Sequence, residues 1–356
     1  MFAQAPSPRP ASRTAPGSTR PSSCQTLSSA AAKKWMFAMS VTKRTGGSPW
    51  YRPAAYSASQ AAEALVLTQP SLGRALSGCR GSSPVSTVAD METTVTVGAD
   101  KIWAEDSEGS GPVVVLLHQG VGDSRQWDRV WPALTSSCRV IRYDVRAYGR
   151  SPAATQEYTL AGDLWRVLDH FQLARAHLVG CSMGGGTAIE LALADPGRAQ
   201  SLTLLCPGIS GYPWPEEPEL EAEFEALAAA GGEDAIVQGY QRLWAAAGAE
   251  PEVMDQLRSA VRAEPNEEQY QRQGQPAFDR LHELSVPTVL LVGDLDRPVL
   301  IASNEEAARR IPGCQLIWMP GVDHMPALRD PDLISRTVLA QVQGGSVARD
   351  AWTGQS

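Results

Sequence analysis

A serine between two glycines is the feature of this chain that most directly suggests chemistry. The run Gly180-Cys181-Ser182-Met183-Gly184 follows the apolar stretch 176–179 and precedes a stretch with helical character. A tight turn between a strand and a helix exposes a serine hydroxyl, and the glycines on either side leave room for that turn. The start of the helix also offers unpaired N–H groups and a positive dipole end to a developing oxyanion. We therefore expect Ser182 to be a nucleophile.

A serine hydroxyl needs a general base, and the chain has five histidines. His324 lies in the loop 320–326, after the last predicted strand and before the last predicted helix. We expect His324 to be the base. His118 follows the first buried strand, so it is expected near the site, and there we interpret it as structural.

Two aspartates compete for the role of orienting this histidine. Asp294 and Asp296 both follow the predicted strand 288–292. Asp296 lies further into the loop and can reach towards His324, whereas Asp294 suits a turn in which a carboxylate binds local main-chain N–H groups. We expect Asp296 to be the acid, with Asp294 as the alternative. The order Ser182, Asp296, His324 along the chain is the order expected for a nucleophile on such a turn.

A second donor to the oxyanion is expected from the loop after the first buried strand, His118-Gln119-Gly120-Val121-Gly122. The main-chain N–H groups of Gly120 and Met183 would form the oxyanion hole. A glycine-rich turn needs no catalytic explanation, so the plain structural interpretation stays open.

Strands and helices alternate around these residues. Apolar runs at 113–117, 139–143, 176–181, 201–206, 288–292 and 315–318 indicate buried strands, preceded by a hairpin at 93–97 and 101–105. Helices are expected at 125–134, 160–171, 183–194, 303–310 and 331–342. The spacing predicts an α/β fold with a mostly parallel, doubly wound sheet, whose ligand site lies beyond the carboxyl ends of the strands.

The alternation is interrupted between residues 211 and 284, where acidic and helical segments follow a proline-rich start. We predict a helical cap over the strand ends, inserted between core segments 91–210 and 285–343, rather than a disordered acidic linker. Trp214 in this segment either lines an apolar pocket or simply packs.

The first ninety residues differ from the rest. They contain ten basic and two acidic residues, a net charge of +8, whereas the remainder contains 21 basic and 37 acidic residues, a net charge of −16. Sixteen serines and nine prolines predict disorder. The abrupt change at Met91 favours a translation start there, and a cytoplasmic enzyme, over an organelle transit peptide. Residues 344–356 are expected to form a flexible tail.

Several classes are excluded or disfavoured by composition and motifs. No stretch approaches the ~18 consecutive apolar residues of a membrane span. The six cysteines form no CxxC pair and have no histidine at ligand spacing, so we expect neither a metal nor a disulfide framework. Neither GxxxxGK[ST] nor GxGxxG at the first βα turn is present, and the basic segment lacks clustered lysines and arginines. We expect no cofactor and neither nucleic acid nor membrane as a partner, and the sequence leaves the oligomeric state open.

Residues 91–344 resemble the α/β-hydrolase superfamily, in particular bacterial esterases and lactonases similar to 3-oxoadipate enol-lactonase. The resemblance rests on five segments: 118–127, 144–151, 180–184, 293–298 and 321–331. It implies an eight-stranded sheet, a cap at 211–284 and the roles given above for the triad. Two departures stand out, because the family commonly has glycine at the positions of Gln119 and Ala147. Gln119 either contacts substrate or only accommodates a turn. Ser182 argues against the dehalogenase and epoxide-hydrolase branches, which use a carboxylate nucleophile.

These residues predict a serine hydrolase that cleaves a small carboxylic ester, thioester or lactone through an acyl-enzyme. One alternative keeps the fold and changes the reaction to C–C bond hydrolysis, or to perhydrolysis as in cofactor-free haloperoxidases. A second alternative is a non-catalytic, hydrolase-like receptor whose triad only holds a small ligand.

Overall fold

A sheet of eight strands forms the centre of the part of the chain that the computed structural model describes, residues 91–230 and 232–345. The strands are β1 (Met91–Val97), β2 (Asp100–Asp106), β3 (Val113–Leu117), β4 (Arg139–Tyr143), β5 (Ala176–Cys181), β6 (Ala199–Leu205), β7 (Thr288–Gly293) and β8 (Gln315–Met319). The expectations for residues 1–90 and 346–356 lie outside the described residues.

The strand order is β1-β2-β4-β3-β5-β6-β7-β8. The first two strands form an antiparallel hairpin, β2 pairs antiparallel with β4, and the other neighbours are parallel. The predicted mostly parallel α/β fold is therefore confirmed. Because parallel strands end at the same edge, the loops after β5, β7 and β8 emerge side by side.

Both faces of the sheet are buried, which explains the continuous apolar runs. Along β3, Val115 and Leu117 belong to one apolar cluster, and Val114 and Leu116 belong to another. Alternate side chains of a strand point to opposite faces, so each face packs against its own layer of helices.

Nine α-helices surround this sheet in the described residues. They are α1 (Trp131–Thr135), α2 (Leu160–His170), α3 (Met183–Ala194), α4 (Pro218–Ala230), α5 (Glu233–Trp244), α6 (Pro251–Tyr270), α7 (Pro298–Arg310), α8 (Pro326–Arg329) and α9 (Pro331–Val342). Short 3₁₀ helices occur at Ser124–Trp127, Pro196–Arg198 and Phe278–Glu283.

Two helix predictions need correction. The single helix predicted over 125–134 is instead a 3₁₀ turn followed by α1, because Pro132 has no N–H for a continuing helix and its ring would clash with the preceding turn. Asp123 caps the first turn by accepting a hydrogen bond from the Arg125 N–H. The helix predicted over 303–310 starts earlier, at Pro298, since proline is well suited to the first helical position.

Helices α4 to α6 occupy the interruption between β6 and β7. They contact the loops at the carboxyl end of the sheet, for example through Gln256, whose Oε1 accepts from the Asp123 N–H (2.8 Å). The Tyr148 hydroxyl likewise donates to Glu267 of α6 (2.6 Å). We call α4–α6 the cap. No helix within the described ranges combines the length and apolar character needed to cross a bilayer.

Candidate active site

Ser182 occupies a strained turn between β5 and α3. Its backbone has φ 47° and ψ −110°, a combination that residues with a side chain seldom adopt. A Cβ on Gly180 would lie 2.4 Å from the Gly184 carbonyl oxygen, and one on Gly184 would lie 2.3 Å from the Leu117 carbonyl oxygen. The turn can therefore form only with glycine at both positions. The Ser182 N–H donates to the Leu205 carbonyl (2.8 Å), which fixes the turn to the neighbouring strand.

Ser182, His324 and Asp296 form a continuous chain of hydrogen bonds. The distance between Ser182 Oγ and His324 Nε2 is 2.8 Å, and His324 Nδ1 lies 2.8 Å from Asp296 Oδ2. A carboxylate can only accept, so Nδ1 carries the hydrogen and Nε2 is left to accept from the serine hydroxyl. Three residues distant in sequence are thus brought together in the arrangement of a general base and its orienting acid.

The side chains of the triad are buried. Ser182 and His324 are both fully buried. Burial alone lowers the pKa of His324, but Asp296 and Cys206 together outweigh it, and the pKa of the imidazole lies well above its usual value. The second Asp296 oxygen accepts from the Arg297 N–H (2.7 Å), so the carboxylate is held on both sides.

Asp294, the alternative acid, lies elsewhere in the loop. Its Oδ1 accepts a hydrogen bond from the Gly321 N–H (2.6 Å) and it is exposed. The sequence predicted a bond to local N–H groups in the turn of Asp294 itself, whereas the N–H that it binds belongs to Gly321, so Asp294 connects the loop after β7 to the loop that carries His324.

The cap contacts His324 directly. The ring of Trp244, at the end of α5, lies with its centroid 4.7 Å from that of His324. Asp323 next to it accepts hydrogen bonds from the Ala247 N–H (2.9 Å) and from Arg329. Trp244 was not predicted as part of the site, because its helical spacing indicates only packing within the cap.

The loop after β3 packs against the start of α3. The Gly184 N–H donates to the His118 carbonyl (3.1 Å), and the Val145 N–H donates to His118 Nε2 (3.0 Å). Since Nε2 must accept there, His118 Nδ1 carries the hydrogen that binds the Gln119 carbonyl (2.7 Å). Among the hydrogen bonds found for the described residues, none is donated by the main-chain N–H of Gly120 or Met183.

Gln119 is buried beneath this loop. Its amide nitrogen donates to the Met325 sulfur (2.7 Å), and its Oε1 accepts from the Cys181 thiol (3.3 Å). Of the two alternatives for Gln119, these bonds favour the structural one, because the side chain connects the loop to the residues before Ser182 and after His324.

Ala147 is the second departure from the family pattern. Like Ser182, it has a positive φ, 69°. Its N–H donates to the Pro152 carbonyl (2.9 Å), so the turn is hydrogen-bonded despite the cost of its methyl group.

A cavity of about 110 Å³ is lined by Ser182 and by residues of α3. Trp214 is among the residues that line this cavity, which agrees with the interpretation that Trp214 lines a pocket. Glu190, which was not predicted as a site residue, also lines it. The available signal was a single charged residue in the otherwise uncharged helix Met183–Ala194.

Cys206 is the remaining group beside the triad. Its thiol, an Asp296 oxygen and a His324 ring nitrogen lie within 4.8 Å of one another and are all buried. These are ligand types that zinc accepts. Both ring nitrogens of His324 already have protein partners, so an ion could bind here only by displacing Ser182 or Asp296 from the histidine.

Known proteins resemble this chain over most of its described residues. The family model described as alpha/beta hydrolase fold matches residues 112–331, more than half of the chain. The putative carbamate hydrolase RutD of Pseudomonas savastanoi pv. phaseolicola is 28% identical over 242 residues, 64% of this chain and 92% of that protein.

Two solved structures share the fold. The carboxylesterase CesB of Bacillus subtilis has a TM-score of 0.61 and 21% identity, covering 73% of this chain and 93% of its own. The enol-lactonase of Burkholderia xenovorans LB400 has a TM-score of 0.59 and 22% identity, covering 70% of this chain and 100% of its own.

Proposed function

This chain belongs to the α/β-hydrolase fold family and is a hydrolase, and from that premise we propose that it cleaves a small carboxylic ester, thioester or lactone through a serine-linked acyl-enzyme. The observation that carries the proposal is the hydrogen-bonded chain Ser182–His324–Asp296 at the carboxyl edge of the sheet. A fold alone does not define a reaction, so the proposal rests on this site.

In the proposed reaction, Ser182 Oγ attacks the substrate carbonyl carbon while its proton passes to His324 Nε2. Asp296 holds the Nδ1 hydrogen and stabilises the imidazolium that forms. The protonated histidine then gives its proton to the leaving alcohol or thiol, or to the ring oxygen of a lactone. A water molecule, deprotonated by the same histidine, attacks the acyl carbon, releases the acid and regenerates the serine.

The oxyanion that forms in both steps would be bound by the N–H groups of Gly120 and Met183. Met183 follows the nucleophile at the first position of α3, where helix N–H groups have no partner within the helix. The hydrogen bond from His118 fixes the Gln119 carbonyl, and the N–H of a trans peptide points away from its carbonyl. His118 therefore orients the Gly120 N–H, the role we propose for this buried histidine.

Labelling with a fluorophosphonate, followed by mapping of the modified peptide, tests the proposed nucleophile. We expect the adduct on Ser182 and its loss in Ser182→Ala. Ser303→Ala is the matched control, because Ser303 is equally buried and donates only to the Leu300 carbonyl. An adduct on another serine would refute the assignment.

A measurement of turnover distinguishes an enzyme from a non-catalytic receptor whose triad only holds a ligand. With a p-nitrophenyl ester in excess, we expect a burst of one p-nitrophenol per protein, followed by steady turnover. A panel of esters, thioesters, lactones and carbamates would then define the substrate class, and carbamates are included because of the RutD relative. Binding without any release would favour the receptor.

A further inference from the structure

Glu190 and Ser182 line the same cavity. Met183, Gly186, Thr187 and Glu190 all line this cavity. Their spacing of three and four residues places them on one face of α3, which therefore forms the floor of the cavity. Glu190 is eight positions after Ser182, which corresponds to about 12 Å along the helix axis.

The Glu190 carboxyl is held in place without a basic partner. The Ser210 hydroxyl donates to its Oε1 (2.9 Å). A Cβ on Gly274 would lie 2.0 Å from Oε2, so the chain approaches the carboxyl as closely as only glycine allows. No ion pair of Glu190 is found within the described residues. Burial raises the pKa of Glu190 to about 7, although the Ser210 hydrogen bond lowers it.

The other charged groups of the lining do not neutralise this carboxyl. Glu267 adds a second acid, which accepts from Tyr148. Arg272 is the one basic residue among those that line the cavity, and its guanidinium donates to Glu157 (2.6 Å) and to main-chain carbonyls. Trp214 provides an aromatic ring in the same lining.

The elements packed against α3 also carry charged residues. Asp163 of α2 is bound to Arg146, Arg198 of the 3₁₀ helix Pro196–Arg198 donates to Asp169, and Arg280 of the 3₁₀ helix Phe278–Glu283 donates to the Leu193 carbonyl and to Glu283. Among the described residues, no ion pair or hydrogen bond joins Glu190 to any basic or imidazole side chain on these elements, namely Arg166, His170, His177, Arg198, Arg280 and His282. The cavity thus combines two acids and an aromatic ring, the groups that recognise an organic cation.

We propose that Glu190 is a specificity-determining residue that binds a cationic group, such as an alkylammonium, at the end of the substrate remote from the scissile carbonyl. This inference rests on the proposed function, since it assumes that the carbonyl is placed at Ser182. The distance along α3 from Ser182 to Glu190 corresponds to about eight to ten covalent bonds between the carbonyl and the cationic group of the substrate.

The test compares matched pairs of esters that end in trimethylammonium or in tert-butyl, which differ in charge and hardly in shape. The cation is placed on the acyl chain in one series and on the alcohol in the other, with spacers of increasing length. At pH 8 we expect kcat/KM to favour the cationic ester by about 10-fold to 100-fold at the best length in one series.

The preference should follow the protonation of Glu190. Trimethylammonium does not titrate, so the ratio of kcat/KM for the two esters should fall as the pH decreases through about 7, where the carboxyl gains its proton. In Glu190→Gln the ratio should be about one at every pH. Glu219→Gln is the control with the same change of charge, because Glu219 lies on α4 outside this cavity.

Each failure has a distinct signature. If both esters of every pair are hydrolysed equally well by the unmodified protein, the inference about Glu190 is wrong and the proposed hydrolase stands. If neither ester is hydrolysed and Ser182 takes no fluorophosphonate, the proposed function itself fails. The comparison in the unmodified protein decides the matter even if Glu190→Gln does not fold.

Discussion

The rings of Trp244 and His324 face one another with centroids 4.7 Å apart and planes inclined by 43°. Trp244 ends a cap helix and His324 follows the last strand of the sheet. The Arg297 guanidinium lies over the Trp244 ring, with its central carbon 5.1 Å from the ring centroid. The cap therefore packs directly against the proposed base through Trp244.

Replacing Trp244 by leucine should lower kcat by about tenfold and change KM less. The imidazole would lose the surface that keeps it aligned with Ser182, and small errors of alignment are costly to the rate. Steady-state kinetics with a p-nitrophenyl ester provides the measurement. Trp318→Leu is the control, because Trp318 is an exposed tryptophan on β8. A KM effect without a kcat effect would mean that Trp244 binds substrate instead.

The activity should depend on pH through His324. Only the neutral imidazole can accept the serine proton, and the pKa of His324 lies well above its usual 6.5 because Asp296 and Cys206 together outweigh the effect of burial. The acid limb of kcat/KM should therefore rise through a pKa above 6.5, with maximal activity in the alkaline range. A limb centred below 6.5 would contradict this account.

Asp296→Asn should reduce kcat by about 10³-fold to 10⁴-fold, the cost found for the equivalent change in serine proteases. Loss of the negative charge should also move the acid limb to lower pH, since that charge raises the pKa of His324. Asp294→Asn is the matched control and should retain most of the activity, as Asp294 binds only the Gly321 N–H. The opposite ranking of these two variants would make Asp294 the orienting acid.

The parts of the site that follow from local sequence are those that the sequence predicts best. The turn at Ser182 is set by Gly180 and Gly184, which lie within a run of five consecutive residues. The meeting of Asp296 and His324 follows from topology, because both loops leave the same edge of a parallel sheet. The roles of these residues in catalysis remain predictions until the variants are measured.

Other features depend on how distant elements pack, and no local pattern reports that. The contact of Trp244 with His324 requires the whole cap to lie over the sheet. The position of Cys206 beside the histidine depends on the register of β6 against β7. Glu190 differs, because a single carboxylate within the apolar α3 was visible in the sequence and could have been selected.

Ala147→Gly should stabilise the protein by about 1 kcal/mol or less. Ala147 has φ 69°, where a methyl group costs about 1–2 kcal/mol, and glycine removes that cost but loses more chain entropy on folding. Urea denaturation would measure the change in the free energy of unfolding. Ala188→Gly, within α3, should be destabilising and serves as the control. A loss of stability in Ala147→Gly would indicate that the methyl group makes contacts that outweigh the strain.

Gln119→Leu distinguishes the two interpretations of Gln119. If the amide holds the loop through Cys181 and Met325, the variant should lose kcat by about tenfold with KM nearly unchanged, because the Gly120 N–H is displaced from the oxyanion. If the amide instead contacts substrate, KM should rise and kcat should hold. Gln341→Leu, a buried glutamine on α9, controls for the general cost of the substitution. We expect the first outcome, because Gln119, Cys181 and Met325 are all buried and none of them is among the residues that line the cavity.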